Sequence, residues 1–115
     1  MHDLRGLIDD WQAKGHLKVV KGANSDLEIG GISEVSGMGA EPPALIFDDI
    51  PGYPKGYRVL TNMFQTQRRT AQALGLADTL RGPALVNAIR KWLDNYKALP
   101  PRWVNSGPLT QNVVE

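Results

Sequence analysis

The sequence predicts an α/β (α+β) domain: a small mixed sheet with about three to four flanking helices. Short apolar runs bounded by Gly and Pro clusters mark strands at residues 16–20, 44–47 and 57–63. Apolar residues at helical spacing mark helices at both ends of the chain. Residues 44–76, ALIFDDIPGYPKGYRVLTNMFQTQRRTAQALGL, hold strand, turn, strand and helix in succession, and the rest of the chain is organised around them.

Leu4, Leu7, Ile8 and Trp11 recur at i, i+3, i+4 and i+7 and form the stripe of a first helix. Asp3 is its N-cap and Gly15 its terminator. Asp9 and Asp10 fall off the stripe and face water. A strand (HLKVV) and a turn at Lys21-Gly22-Ala23-Asn24 follow. Asn24 or Ser25 caps a second helix, with Asp26 and Glu28 at the end where the dipole favours acids. Leu27, Ile29, Ile32 and Val35 suit packing on a sheet. Gly30-Gly31 weakens that helix by about 1 kcal/mol per glycine relative to alanine, which suggests close approach of a neighbour. Residues 36–43 form a loop.

In the central stretch, Pro51, Gly52, Pro54 and Gly56 build the turn. Thr66 caps the next helix and Gly75 ends it. Gly82-Pro83 opens a last helix, lined by Leu85, Ile89, Trp92, Leu93 and Tyr96, and Pro100-Pro101 halts it. The tail has two β-prone pieces, residues 103–105 and 112–114. Its extended end suits a chain cut from a longer protein and, equally, a loose terminus.

The 115 residues fit one domain, which can bury roughly two-thirds of its unfolded surface. Net charge is +1, so no long-range field argues for nucleic acid or an anionic membrane. No apolar run reaches the roughly 18 residues of a membrane span, and MHDLRGLIDDWQ has acids where a signal peptide needs a basic end. With no cysteine there is no disulfide framework or thiolate chemistry, and a cytoplasmic location is the default.

The chemical inventory is close to empty. His2 and His16, the two histidines, lack a second ligand at helical spacing and read as surface imidazoles rather than zinc ligands. Asp9-Asp10 and Asp48-Asp49 are sequence neighbours, so their side chains diverge and do not flank one substrate. Asp48-Asp49 beside the Gly/Pro turn suits a turn cap, with a cation site as the sharper alternative. Gly37-Met38-Gly39 lacks the third glycine of a dinucleotide fingerprint. Ser33 lacks the closing glycine of a nucleophile elbow. Arg68-Arg69 sits at the unfavourable end of its helix dipole, either as a solvated pair, the favoured reading, or offset by Asp48 or Asp49. Trp11 and Trp92 lie on apolar stripes and read as core. Trp103, in the tail, is the candidate for burial against a partner. No catalytic, cofactor-binding or metal-ligating residue is assigned.

Several segments carry a resemblance: Phe47-Asp48-Asp49-Ile50, Gly52-Tyr53, Val59-Leu60-Thr61-Asn62-Met63-Phe64 and Arg68-Arg69-Thr70-Ala71-Gln72-Ala73-Leu74-Gly75-Leu76. With the opening DLRGLIDDWQAKGHLKVVKG and the later Ser106-Gly107-Pro108, their order resembles the N-terminal domain of the UbiD family of decarboxylases. The resemblance implies an N-terminal α/β domain at 1–99 and, at 100–115, a linker into a flavin-binding domain. It implies prenylated FMN, Mn2+ and K+ in the full-length enzyme, none of them bound by this chain alone. It also implies reversible non-oxidative decarboxylation of an aromatic or α,β-unsaturated acid. The remaining flavin-binding and C-terminal domains would be the partners, in a homo-oligomer, with no nucleic acid and no membrane. The isolated chain is expected to be inactive. One alternative is a non-catalytic small subunit that binds a partner carrying the active site. Another is a self-contained binding module for a small acid or nucleotide.

Overall fold

Residues 44–47 are apolar without a break, and such a run is stable only where both faces of its strand are covered. A computed structural model of the chain describes residues 3–107 and meets that demand. In chain order the elements are α1 (Leu4–Ala13), β1 (Leu17–Lys21), α2 (Glu28–Gly37), β2 (Ala44–Asp48), β3 (Val59–Thr61), α3 (Gln67–Ala73) and α4 (Gly82–Asp94). The sheet order is β1-β2-β3, with β2 in the centre. β1 runs parallel to β2, pairing Leu17 with Ala44 and Lys21 with Asp48. β3 runs antiparallel to β2, pairing Leu45 with Thr61 and Phe47 with Val59. This is the expected small mixed sheet.

Because side chains alternate along a strand, β2 feeds two cores. Ala44 and Ile46 join Leu7, Trp11 and Leu17 on one face, with Leu60, Met63 and Ala73 packed against them. Leu45 and Phe47 join Ala23 and Ile50 on the other, under Ile29 and Ile32 of α2. Trp11, Phe47 and Leu45 are the largest fully buried side chains. Each contributes about 2–3 kcal/mol of apolar burial.

The caps of α1 and α3 form as expected. Asp3 accepts from the Gly6 amide at 2.8 Å and starts α1, and Gly15 follows it at φ +71°. Asp9 is exposed, but Asp10 is half-buried and not fully in water. Thr66 accepts from the Arg69 amide at 3.3 Å and starts α3.

α2 departs from expectation. Asn24 and Ser25 do not cap it: Asn24 Oδ1 accepts from the Asp26 amide at 2.9 Å, and Glu28 Oε2 reaches back to the Asn24 amide at 2.7 Å. That closes a local turn, and the helix begins only at Glu28, after Leu27 at φ 65°. Leu27 and Val35 are 83% and 70% exposed rather than packed, because only Ile29 and Ile32 point at the sheet. A Cβ at Gly30 or Gly31 would meet nothing within 4 Å, so close packing does not explain either glycine. α2 also runs to Gly37, shortening the loop that follows. β3 is three residues, shorter than the apolar run at 57–63 that predicts it. Residues 103–105 form no strand, and residues 112–114 lie outside the described part of the chain.

The Arg68-Arg69 expectation is corrected most fully. Arg69 is 2% exposed and reaches neither Asp48 nor Asp49. Its Nε donates to the Met63 carbonyl at 2.8 Å and its Nη2 to the Asn62 carbonyl at 2.9 Å. Asn62 takes the left-handed conformation, φ 57°, which Asn tolerates better than most residues. Its Nδ2 donates to the Ser33 carbonyl at 2.8 Å, and Ser33 Oγ lies 2.8 Å from Thr61 Oγ1. A single turn thereby ties α2, β3 and α3 together. Asp49 instead pairs with Lys21 at 3.6 Å, an exposed contact of little energetic weight.

Replacing the guanidinium should therefore loosen the whole turn. Arg69→Ala is expected to cost about 2–4 kcal/mol in urea denaturation, the loss of two charge-assisted bonds less what water restores. Arg69→Lys keeps the charge but lacks the planar fork and recovers less than half of that loss. A cost of Arg69→Ala below about 0.5 kcal/mol, the level of an ordinary surface change, would show that the turn holds without it.

Candidate functional site

Two regions gather chemistry: a polar recess beside α3 and an apolar face on α4. The recess is built where β1 begins, where the loop enters β2 and where α3 starts. It encloses about 250 Å³, with His16, Lys18, Glu41, Thr66, Arg68 and Arg69 in its lining. His16 is half-buried, not a free surface imidazole. Its Nε2 lies 3.0 Å from Arg68 Nη1. An arginine cannot accept, so Nε2 is the acceptor and the ring is neutral with its proton on Nδ1. That Nδ1 is buried without a hydrogen-bond partner. Burial, then the charges of Arg68, Arg69 and Lys14, hold the His16 pKa below the ordinary 6.5, against a weaker pull from Asp78. Arg69 is also pushed down by burial and held up by Glu41, yet a guanidinium stays charged.

The apolar face is of a different kind. α4 packs on α3 rather than on the sheet. Leu85 is buried and Ile89 and Trp92 are half-buried, but Leu93 and Tyr96 are exposed. Trp92 is therefore not core: it stacks on Tyr96 with centroids 5.5 Å apart. Beside that pair, Leu76, Ala88, Trp92 and Tyr96 form the apolar lining of a groove of about 620 Å³. Beyond it Leu99, Trp103 and Val104 are 89%, 95% and 60% exposed. The radius of gyration, 17.8 Å, exceeds the roughly 13 Å of a compact domain of this length.

The other candidates have structural partners. Ser33 Oγ joins α2 to Thr61 of β3, and Asp48 Oδ1 accepts from the Asp49 amide at 2.9 Å. Among the described residues no three His, Cys, Asp or Glu side chains gather to hold a metal ion. Gly37 lies at the end of α2, against Gln65, and leads into a loop rather than a helix. The described residues thus offer no gathered ligand set for manganese. His2 lies outside them. Sequence reasoning missed the recess because Lys18, Glu41 and Arg68 come from three separated segments. The pairing of a histidine after Gly15 with an arginine at a helix start gives no local signal.

The family model of the 3-octaprenyl-4-hydroxybenzoate carboxy-lyase N-terminal domain matches residues 8–89. The chain belongs to this family, the UbiD N-terminal domain. Among solved structures it is similar to vanillic acid decarboxylase of Sedimentibacter hydroxybenzoicus. In the open form with truncated ShVdcD, the TM-score is 0.77 at 25% identity, covering 87% of this chain and 21% of that one. In the open form without that truncation, the values are 0.71 and 26%, covering 79% and 19%. In the closed form they are 0.72 and 25%, covering 99% and 24%. The chain thus spans about a fifth to a quarter of these relatives. Among the described residues no helix is long and apolar enough to cross a membrane.

The depressed His16 pKa fixes a pH dependence. Between the lowered folded value and the ordinary 6.5, the unfolded chain binds the proton that the folded chain refuses. Stability therefore rises with pH through that window and falls as pH drops below 6.5. Thermal melts of wild type and His16→Gln, compared between pH 7 and 5, are expected to show the steeper loss in wild type. Parallel curves would mean that His16 is unperturbed.

Proposed function

We propose that the chain is the N-terminal domain of a prenylated-FMN-dependent carboxy-lyase. In this reading the whole enzyme catalyses reversible, non-oxidative decarboxylation of an aromatic or α,β-unsaturated carboxylic acid. The flavin supplies the electron sink and the protein supplies placement. Residues 1–99 form the domain and residues 100–115 lead into the flavin-binding domain. The domain's own role is to pack against that domain and help shape its cleft. No catalytic, flavin or metal residue is placed in it, so the isolated chain has no turnover.

The family match over residues 8–89 carries this reading. The apolar face supports it. Leu93, Tyr96, Leu99 and Trp103 are all more than half exposed, and they run along α4 and the segment after it. Exposed apolar side chains of this size mark an interaction surface, and tryptophan is among the residue types that dominate binding energy. The occupant is the flavin-binding domain, because the relatives' chains are four to five times as long as the part matched here. An enzyme of this class works in the cytoplasm and as a homo-oligomer.

The surface predicts binding. The 115-residue chain, mixed with the separately expressed flavin-binding and C-terminal domains, is expected to form a 1:1 complex on size exclusion. Trp103 emission should shift to the blue on mixing. Trp103→Ala should weaken association at least about 30-fold, the size of a 2 kcal/mol hot spot. Absence of a complex, or unchanged Trp103 emission within one, would contradict the assignment of this face.

A further inference from the structure

The recess beside α3 holds more positive charge than the fold uses. Arg69 is 2% exposed, and its hydrogen bonds go to two carbonyl oxygens and to no carboxylate. A buried guanidinium is costly unless its charge is answered; its hydrogen-bond partners here are neutral dipoles, and Glu41 is the one carboxylate that offsets it. Arg68 and Lys18 face the same space, and Glu41 is the one carboxylate in its lining. Three cations therefore stand against one exposed anion, a local excess of two positive charges. These cations come from β1 and α3, so their convergence belongs to the tertiary fold and not to a charged run. The volume, about 250 Å³, suits a small molecule rather than a protein segment.

We propose that this recess binds a small oxyanion of the carboxylate or phosphate class, held by Lys18, Arg68 and Arg69. Thr66, 8% exposed, adds a hydroxyl to the wall, although its oxygen already serves the Arg69 amide. Glu41 opposes binding by charge and confines the ligand to the Arg68 side. Burial first, and then the charges of Arg68 and Arg69, keep His16 neutral. An anion in the recess screens those charges and lets the imidazole take a proton more easily. The site goes beyond the proposed carboxy-lyase role and does not depend on it.

His16 is the reporter. In the 115-residue chain carrying His2→Gln, its ring resonances are followed by NMR during addition of sodium phosphate, sodium acetate or sodium chloride at matched ionic strength. A saturable shift with an upward move of the His16 pKa is expected for an oxyanion, and a small linear drift for chloride. Saturation by phosphate alone assigns the phosphate class; saturation by acetate as well assigns oxyanions generally. Lys18→Ala, which leaves the Arg68–His16 contact intact, should weaken binding about tenfold, the loss of one charge-assisted contact. Glu41→Gln should tighten it. Shifts that track ionic strength equally for all three salts would overturn the proposal. So would saturable shifts that Lys18→Ala leaves unchanged.

Discussion

The two-sided burial of β2 is the constraint on which the rest of the structure depends. A strand reading Ala-Leu-Ile-Phe has no face fit for water, so a helical layer must lie on each side of it. α1 and α3 supply one layer and α2 the other. A parallel partner needs a crossover, and α2 is that crossover between β1 and β2. The antiparallel partner needs only the Gly/Pro turn, which delivers β3. Once β3 is in place, Thr61 and Asn62 lie where Ser33 and Arg69 can bond to them, and the polar joint closes over the apolar core. α4 has no part in this constraint. It docks on α3 and leaves Val86 and Leu93 exposed.

Much of this was legible in the sequence, for identifiable reasons. α1 shows because its cap, its stripe and its terminating glycine all agree on one element. The start of α3 at Thr66 and the Gly52 and Gly56 turn show because those residues have few other backbone uses. β2 shows because an uninterrupted apolar run between proline clusters has one reading. α2 shows poorly: Asn24 and Ser25 have the chemistry of caps but use it in a turn ahead of the helix. Local preference cannot say which of two adjacent turns a side chain will close. Gly30 and Gly31 invite a packing explanation that open space around them removes, and the structure offers no other.

The polar recess was not legible at all. Arginine at a helix start reads as a solvated liability, and its burial becomes favourable only when two carbonyls converge on it. Those carbonyls converge because Asn62 adopts φ 57°, a choice that depends on Ser33 in another element. That Trp103 stays out of the core was legible, because a large aromatic in an extended, proline-flanked segment has no core to enter, and it is 95% exposed.

The central claim is that this chain is one domain of a larger decarboxylase, and the intact mass of the natural gene product tests it most directly. The 115 residues account for 12.6 kDa. The account predicts a single polypeptide several times heavier that contains this domain and continues past Glu115 into the flavin-binding domain. A natural product of 12.6 kDa would contradict it and make the chain a free-standing subunit whose apolar face meets a separate protein.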